Sequence, residues 1–137
     1  MPDLPTADHA HPALERVRAY FAAYHHGGSL DYAAQWVYPA SLFSGGSWSS
    51  VPDAATMARN NDAYAQAQHA AGAVAGEILG LECTVIGPDS ALVRGRFARL
   101  RADGSRLADS AASYLVVKVE CDGAAPAWKV AVCVSGA

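Results

Sequence analysis

A chain of 137 residues has the usual length of one domain and can bury about two thirds of the surface it exposes when unfolded. With 52% hydrophobic and 17% charged residues it is too apolar for disorder, and the surplus points to an internal pocket or a subunit interface. A formal charge of -3 without a run of Lys or Arg argues against nucleic acid as a partner, because phosphate neutralisation supplies most of that affinity.

The stretch Met1 to Pro12 has Asp3, Asp8 and prolines where a signal peptide would have basic residues and an apolar run. No segment approaches the roughly 20 apolar residues of a membrane span, so a cytoplasmic protein with no membrane contact is expected. Residues 1–11 read as a flexible tail and residues 12–137 as a single domain.

From Pro12 the apolar set Leu14, Val17, Tyr20, Phe21 and Tyr24 recurs at spacings of three and four, one stripe of a helix that Gly27 and Gly28 stop. Ser29 is the expected cap of a second, shorter helix through Leu30, Ala33, Ala34 and Val37, which Pro39 ends. Between Ala40 and Trp48 a small hairpin turns at Gly45 and Gly46. A third helix starts at Ser50 or Asp53 and runs through Met57, Asn61 and Tyr64 to Gly72.

Beyond Gly72 the periodicity becomes that of strands: Ile78 to Val85, Ala91 to Arg101, Arg106 to Glu120 and Ala127 to Ser135. The turns Gly87-Pro88-Asp89, Asp103-Gly104 and Asp122-Gly123 between them make neighbouring strands antiparallel. The fold class is therefore α+β, with three N-terminal helices packed on a curved antiparallel sheet.

Several side chains stand out as carriers of chemistry. A two-residue turn at Asp103-Gly104 pairs Arg101 with Arg106 and places Ala98 opposite Asp109, Arg96 opposite Ala111 and Arg94 opposite Ser113. One face then holds Arg94, Arg96, Asp109 and Ser113 among Leu92, Leu100, Leu107 and Leu115. Two readings stay open: Asp109 and Arg96 form a catalytic pair inside a pocket, or that face is the dimer-facing or wet side and the pair is a surface bridge worth about 0 to 1 kcal/mol. The other face, with Val93, Gly95, Phe97, Ser110, Ala112, Tyr114 and Val116, suits packing on helices.

Asn61 falls between Met57 and Tyr64 on the inward stripe of the third helix, where it either bonds its neighbours or orients a ligand. Trp36 and Trp48 are core or rim aromatics. His25-His26 suits capping at a helix C-terminus, and His9, His11 and His69 read as exposed or tail-borne. Cys83, Cys121 and Cys133 lack the spacing of a metal or redox motif, so neither metal, cofactor nor disulfide is expected. Phosphate loops, nucleophile elbows and zinc helices have no matching motif.

This order of elements, with Tyr38-Pro39-Ala40-Ser41-Leu42-Phe43, Ser113-Tyr114-Leu115-Val116-Val117 and Trp128-Lys129-Val130, resembles the nuclear transport factor 2-like superfamily over nearly all of the chain after Pro12. The resemblance implies a cone whose curved sheet wraps the helices around an apolar pocket, and a homodimer formed through the sheet. Isomerase-type relatives use a carboxylate base near the small hairpin and a first-helix Tyr. Here the hairpin Leu42 to Ser47 has no acid, and the last strand has Val130, Val132 and Val134 where active relatives place His or Arg.

The expected function is binding of a small apolar or carbonyl- or carboxylate-bearing molecule, with Tyr20, Tyr24, Trp48, Asn61, Tyr64 and Tyr114 at the site. The alternatives are an enzyme of polyketide cyclase, isomerase or hydrolase type using Asp109 and Arg96, and a non-catalytic dimerisation or scaffold domain with a filled interior.

Overall fold

The computed structural model describes residues 11–136, so the expected tail lies outside the described residues except for His11, as does His9. Helix α1 (Pro12–His26) is capped by His11, whose Nδ1 accepts from the Ala13 N–H at 3.1 Å. His11 is thus the start of the helix and not part of a free tail. Helix α2 (Ser29–Ala33) is shorter than expected and follows Gly28 as its cap. The residues that follow, Trp36, Val37 and Tyr38, are aromatic and β-branched, and a residue before proline is pushed out of the helical region. They enter strand β1 (Trp36–Ser44), and the Tyr38 hydroxyl donates to the Ala33 carbonyl at 2.6 Å, closing the end of α2.

Strand β1 turns through Gly45 (φ 58°) and Gly46 (φ 79°) into β2 (Ser47–Val51). Both turn residues need positive φ, which glycine adopts without the steric cost other residues bear. Helix α3 (Ala54–Ala70) begins at Asp53, whose carboxylate accepts from the Thr56 N–H at 2.8 Å. Four long strands complete the chain: β3 (Ala75–Gly87), β4 (Ser90–Leu100), β5 (Arg106–Cys121) and β6 (Ala124–Gly136).

The six strands form one sheet in the order β2-β1-β6-β5-β4-β3. All neighbours are antiparallel except β1 and β6, which run parallel. The β1–β6 register shifts between Trp36 and Ser41, a span containing Pro39, whose missing N–H removes a ladder bond. Helix α1 lies across β3 to β6, whereas α3 packs mainly on α2.

The α1 stripe divides in two. Leu14 and Val17 are fully buried with Val93, Val116 and Val130 of the sheet, and they close the narrow end of the cone. Tyr20, Phe21 and Tyr24, one to two turns on, are only partly buried and leave space beside them. No helix among the described residues is long and apolar enough to cross a membrane.

The exposed cap gives a pH prediction. Hydrogen bonds from the Thr56 backbone and side chain hold the Asp53 carboxyl below its ordinary range, and those from Ser105 do the same for Asp103. A carboxyl whose pKa is depressed by folding adds stability above its unfolded value, and loses it as pH falls through the folded value. Stability should therefore decline below about pH 4. In thermal melts, Asp53→Asn, which keeps a capping oxygen but cannot titrate, should show a shallower decline on the acid side than the parent protein.

Candidate functional site

Alternation along β4 and β5 decides what the open end of the cone contains. The pairs Val93 with Tyr114, Gly95 with Ala112 and Phe97 with Ser110 turn toward α1, and Arg99 opposite Ala108 is the next on that face. In β6 a register shift between Leu115 and Val116 changes the parity, so Cys133 sits opposite Tyr114 and Ser135 opposite Ala112 on the inner face. The expected wall of Val132 and Val134 is therefore on the outside, and only Val130 of the three valines is in the core.

These residues enclose a cleft of about 170 Å³ between α1, the C-terminal half of α3 and the inner face of the sheet. Tyr20, Phe21, Phe97 and Tyr114 are among its lining, and Tyr24, Tyr64, His25, His69 and Arg99 stand toward its α3 side. The aromatics form one packed set. Tyr20 meets Tyr114 at 5.1 Å and Tyr32 at 5.1 Å between ring centroids, Phe21 stacks on Phe97 at 5.4 Å, and Tyr24 meets Tyr64 at 5.9 Å.

Two glycines make this packing possible. A Cβ at Gly95 would lie 2.4 Å from the tip of the Phe97 ring, so the missing side chain lets Phe97 lean back over its own strand. At Gly76, opposite Arg99, a Cβ would come 2.6 Å from His25 Nε2, so the imidazole rests directly on the strand.

The buried phenols of Tyr20, Tyr24 and Tyr114 stay protonated at neutral pH and cannot act as bases. Burial raises the phenols of Tyr20, Tyr32 and Tyr114 far above their ordinary value, and that of Tyr24 to about 12. Tyr32 donates to the Tyr20 oxygen at 3.3 Å. The Trp36 indole N–H, buried beside this pair, has no acceptor among the described residues. Burial also raises the Cys133 thiol, whose Sγ lies 3.7 Å from the Ser135 hydroxyl, so it stays protonated and unreactive at neutral pH. His25 is pushed down, first by its own burial and then by His26, so it is a neutral imidazole at pH 7.

The structure places four expected site residues, Asp109, Arg96, Trp48 and Asn61, away from the cleft lining. Asp109 and Arg96 are exposed on the outer face, and Asp109 pairs at 3.3 Å with Arg106, not Arg96. The physical reason is which face of the sheet meets the helices: Val93, Phe97 and Tyr114 are buried against them, which leaves the alternate residues outside. Arg101 bonds Ser105 around a three-residue turn and Leu100 pairs with Arg106. A bulge at Leu107 then restores the expected pairing of Ala98 with Asp109. The register beyond the bulge is the expected one, and it points both charges away from the helices. An exposed bridge of this kind is worth about 0 to 1 kcal/mol.

Trp48 is 61% exposed at the hairpin, where it meets Phe43 at 5.8 Å, and it does not line the cleft. Asn61 is buried but donates from Nδ2 to the Ser29 hydroxyl at 3.1 Å, and that hydroxyl donates to Asp62. Its amide ties α3 to α2. Tyr20, Tyr24, Tyr64 and Tyr114 do come together at the cleft. Among the described residues no group of three or more His, Cys, Asp or Glu is placed to hold a metal ion.

Phe21, His25, Phe97, Arg99, Cys133 and Ser135 also line the cleft and are not among the site residues expected from the sequence. Arg99 continues the alternation of Val93 and Phe97 and was findable by extending it two residues. Cys133 and Ser135 depend on the β6 register shift, for which Ala131 gives no local signal.

A curved sheet wrapped on one long helix, with a cleft at its open end, defines the α+β cone described elsewhere as a cystatin-like fold. The family described as "NTF2-like protein (DUF6841)" matches residues 13–137, and the chain belongs to that family. Similar solved structures include Aln2 from a Streptomyces species, with TM-score 0.72, 12% identity, and coverage of 97% of this chain and 93% of that one. An NTF2-like protein from Novosphingobium aromaticivorans has TM-score 0.67, 18% identity, and coverage of 88% and 76%. An NTF-2 like protein of unknown function from Shewanella oneidensis has TM-score 0.65, 15% identity, and coverage of 89% and 93%. At these identities the likeness shows the fold alone. None of the curated proteins matches the sequence.

Proposed function

We propose that the domain binds a small, largely apolar molecule in the cleft at the open end of the cone. The observation that carries this reading is the convergence of Tyr20, Phe21, Phe97 and Tyr114 on a space of about 170 Å³ that no side chain fills. Ligand pockets usually measure about 300–1,000 Å³, so the size favours a one-ring molecule over a drug-sized or polycyclic one. Neutral phenols at the base suit a ligand with a carbonyl or hydroxyl oxygen, to which a buried phenol can donate.

Among the described residues the lining contains no Asp or Glu. A carboxylate-based proton abstraction is thus unsupported in the cleft, and the reading is of a binding domain. The open space also weighs against a purely structural domain with a filled interior. The test is a titration with neutral one-ring compounds such as phenylacetamide, followed by NMR of assigned aromatic and methyl groups. Shifts concentrated at Phe21, Phe97 and Tyr114 are expected. A silent cleft under saturating concentrations of a varied set would remove the reading.

A second copy of the chain is proposed as the partner of the outer face. Leu92, Leu115 and Val132 form one cross-strand row there, and Arg94, Ser113 and Val134 the next, with Val134 41% exposed. A groove of about 490 Å³ crosses these strands and is flanked by Glu82, Arg94 and Arg96. Charges of both signs beside an apolar row suit a two-fold interface, where each sign meets its opposite on the partner. Sedimentation should show a dimer at micromolar concentration, and Val134→Asp should convert it to a folded monomer. A monomeric parent protein would contradict the proposal.

A further inference from the structure

Resting on the reading of the cleft as a ligand site, we propose that its α3 side is an anion anchor. The ligand carries a small carboxylate that pairs with Arg99 while its ring lies against Phe21 and Phe97.

The placement of Arg99 is the first support. It sits on the inner face of β4, two residues beyond Phe97, with Gly76 and Ala108 as its cross-strand neighbours. Neither neighbour has a long side chain to cover it. Its guanidinium donates to the Tyr64 hydroxyl at 2.9 Å, a neutral partner from α3. Among the described residues the ion pairs are Arg18 with Glu15 and Arg106 with Asp109, and none of their carboxylates lies within 4.0 Å of Arg99. A guanidinium has five donors in a planar fork that matches a carboxylate, and one phenol leaves most of them available.

The second support is the charge of the lining. The chain has 13 acidic and 10 basic residues, yet among the described residues the cleft is lined by Arg99, His25 and His69 with no acid. His25 occupies the space left by Gly76, directly across the ladder from Arg99. Its neutral imidazole adds a hydrogen-bond donor or acceptor without a competing negative charge. An anion arriving here brings opposite charge and two acceptor oxygens to the guanidinium fork, where the Tyr64 hydroxyl offers one neutral oxygen.

The chemistry selects a ligand class: one-ring aromatic or short apolar carboxylates. Phenylacetate and phenylacetamide are near-isosteric and differ in charge, so their comparison isolates the anchor. Binding of both is measured by NMR titration to the parent protein, Arg99→Met, Arg99→Lys and Arg59→Met. Arg59 is exposed on α3 and lines neither the cleft nor the outer groove, so Arg59→Met removes the same net charge without touching either.

Phenylacetate should bind at least about tenfold more tightly than phenylacetamide, a difference of about 1.4 kcal/mol. Arg99→Met should erase that preference, Arg99→Lys should keep part of it, and Arg59→Met should keep all of it. Equal binding of the two compounds, in the cleft and unchanged in Arg99→Met, would overturn the anchor and leave the cleft reading standing. An equal loss of preference in Arg59→Met would assign it to net charge and also overturn the anchor. Absence of both compounds from the cleft would overturn the anchor and the cleft reading together. Thermal melts establish that each variant is folded, and Arg99→Lys serves if Arg99→Met is not.

Discussion

Trp36→Ala should lower the unfolding free energy by about 3–5 kcal/mol, the range for deleting a buried aromatic side chain. Trp36 is buried where β1 leaves α2, edge-on to Tyr20 at 5.8 Å and to Tyr32 at 6.2 Å. Its removal opens a hole behind the aromatic set that shapes the cleft, and tightly packed interiors relax only partly into such holes. A domain of this size has about 5–15 kcal/mol of total stability, so the variant would be marginally folded. Trp48→Ala makes the contrast. That indole touches Phe43 on an exposed hairpin, and its loss should cost less than about 1 kcal/mol. Urea unfolding of both variants decides the matter. Similar losses at the two positions would contradict the assignment of Trp36 to the core and Trp48 to the surface.

Ala112→Phe should abolish ligand binding while leaving the protein folded. Ala112 is on the inner face between Gly95 and Ser135, at the floor of the cleft. A benzyl group there would take up much of a space of about 170 Å³ and would occupy the place proposed for a ligand ring. Added bulk in a packed core costs about 1–3 kcal/mol, and an open cleft should keep the cost at the lower end. The expected result is a loss of phenylacetate affinity beyond tenfold, about 1.4 kcal/mol or more, with the thermal midpoint shifted by a few degrees only. Unchanged affinity in a folded Ala112→Phe protein would place the ligand elsewhere.

The order of elements was legible because each signal was local. The three-and-four spacing from Leu14 to Tyr24, the two glycines of the hairpin and Asp53 before α3 each specify their own neighbourhood. The four long strands were legible for the same reason, since their turns contain glycine, proline or aspartate. What failed depended on competition or on distance. Val37 and Tyr38 fit a helical stripe as well as a strand, and pairing of β1 with β6, far away in sequence, decided for the strand.

The site was legible where it lay on a regular stripe and obscure where it lay past an irregularity. Tyr20, Tyr24, Tyr64 and Tyr114 were reachable from helix and strand periods, and they line the cleft. Asp109 and Arg96 were rightly placed on one face, but alternation cannot tell which face meets the helices. The burial of Val93, Phe97 and Tyr114 settles it, and the charges fall outside. Asn61 was rightly placed on the buried side of α3, yet its partner Ser29 is 32 residues away and had no sequence signal.

The most direct test of the central claim is a residue-assigned NMR map of the protein titrated with phenylacetate. The account predicts shifts that cluster at Phe21, Phe97, Arg99, Ala112 and Tyr114 and saturate together, with Leu92, Leu115 and Val134 of the outer face unmoved. Shifts centred on the outer face, with the cleft residues silent, would contradict it.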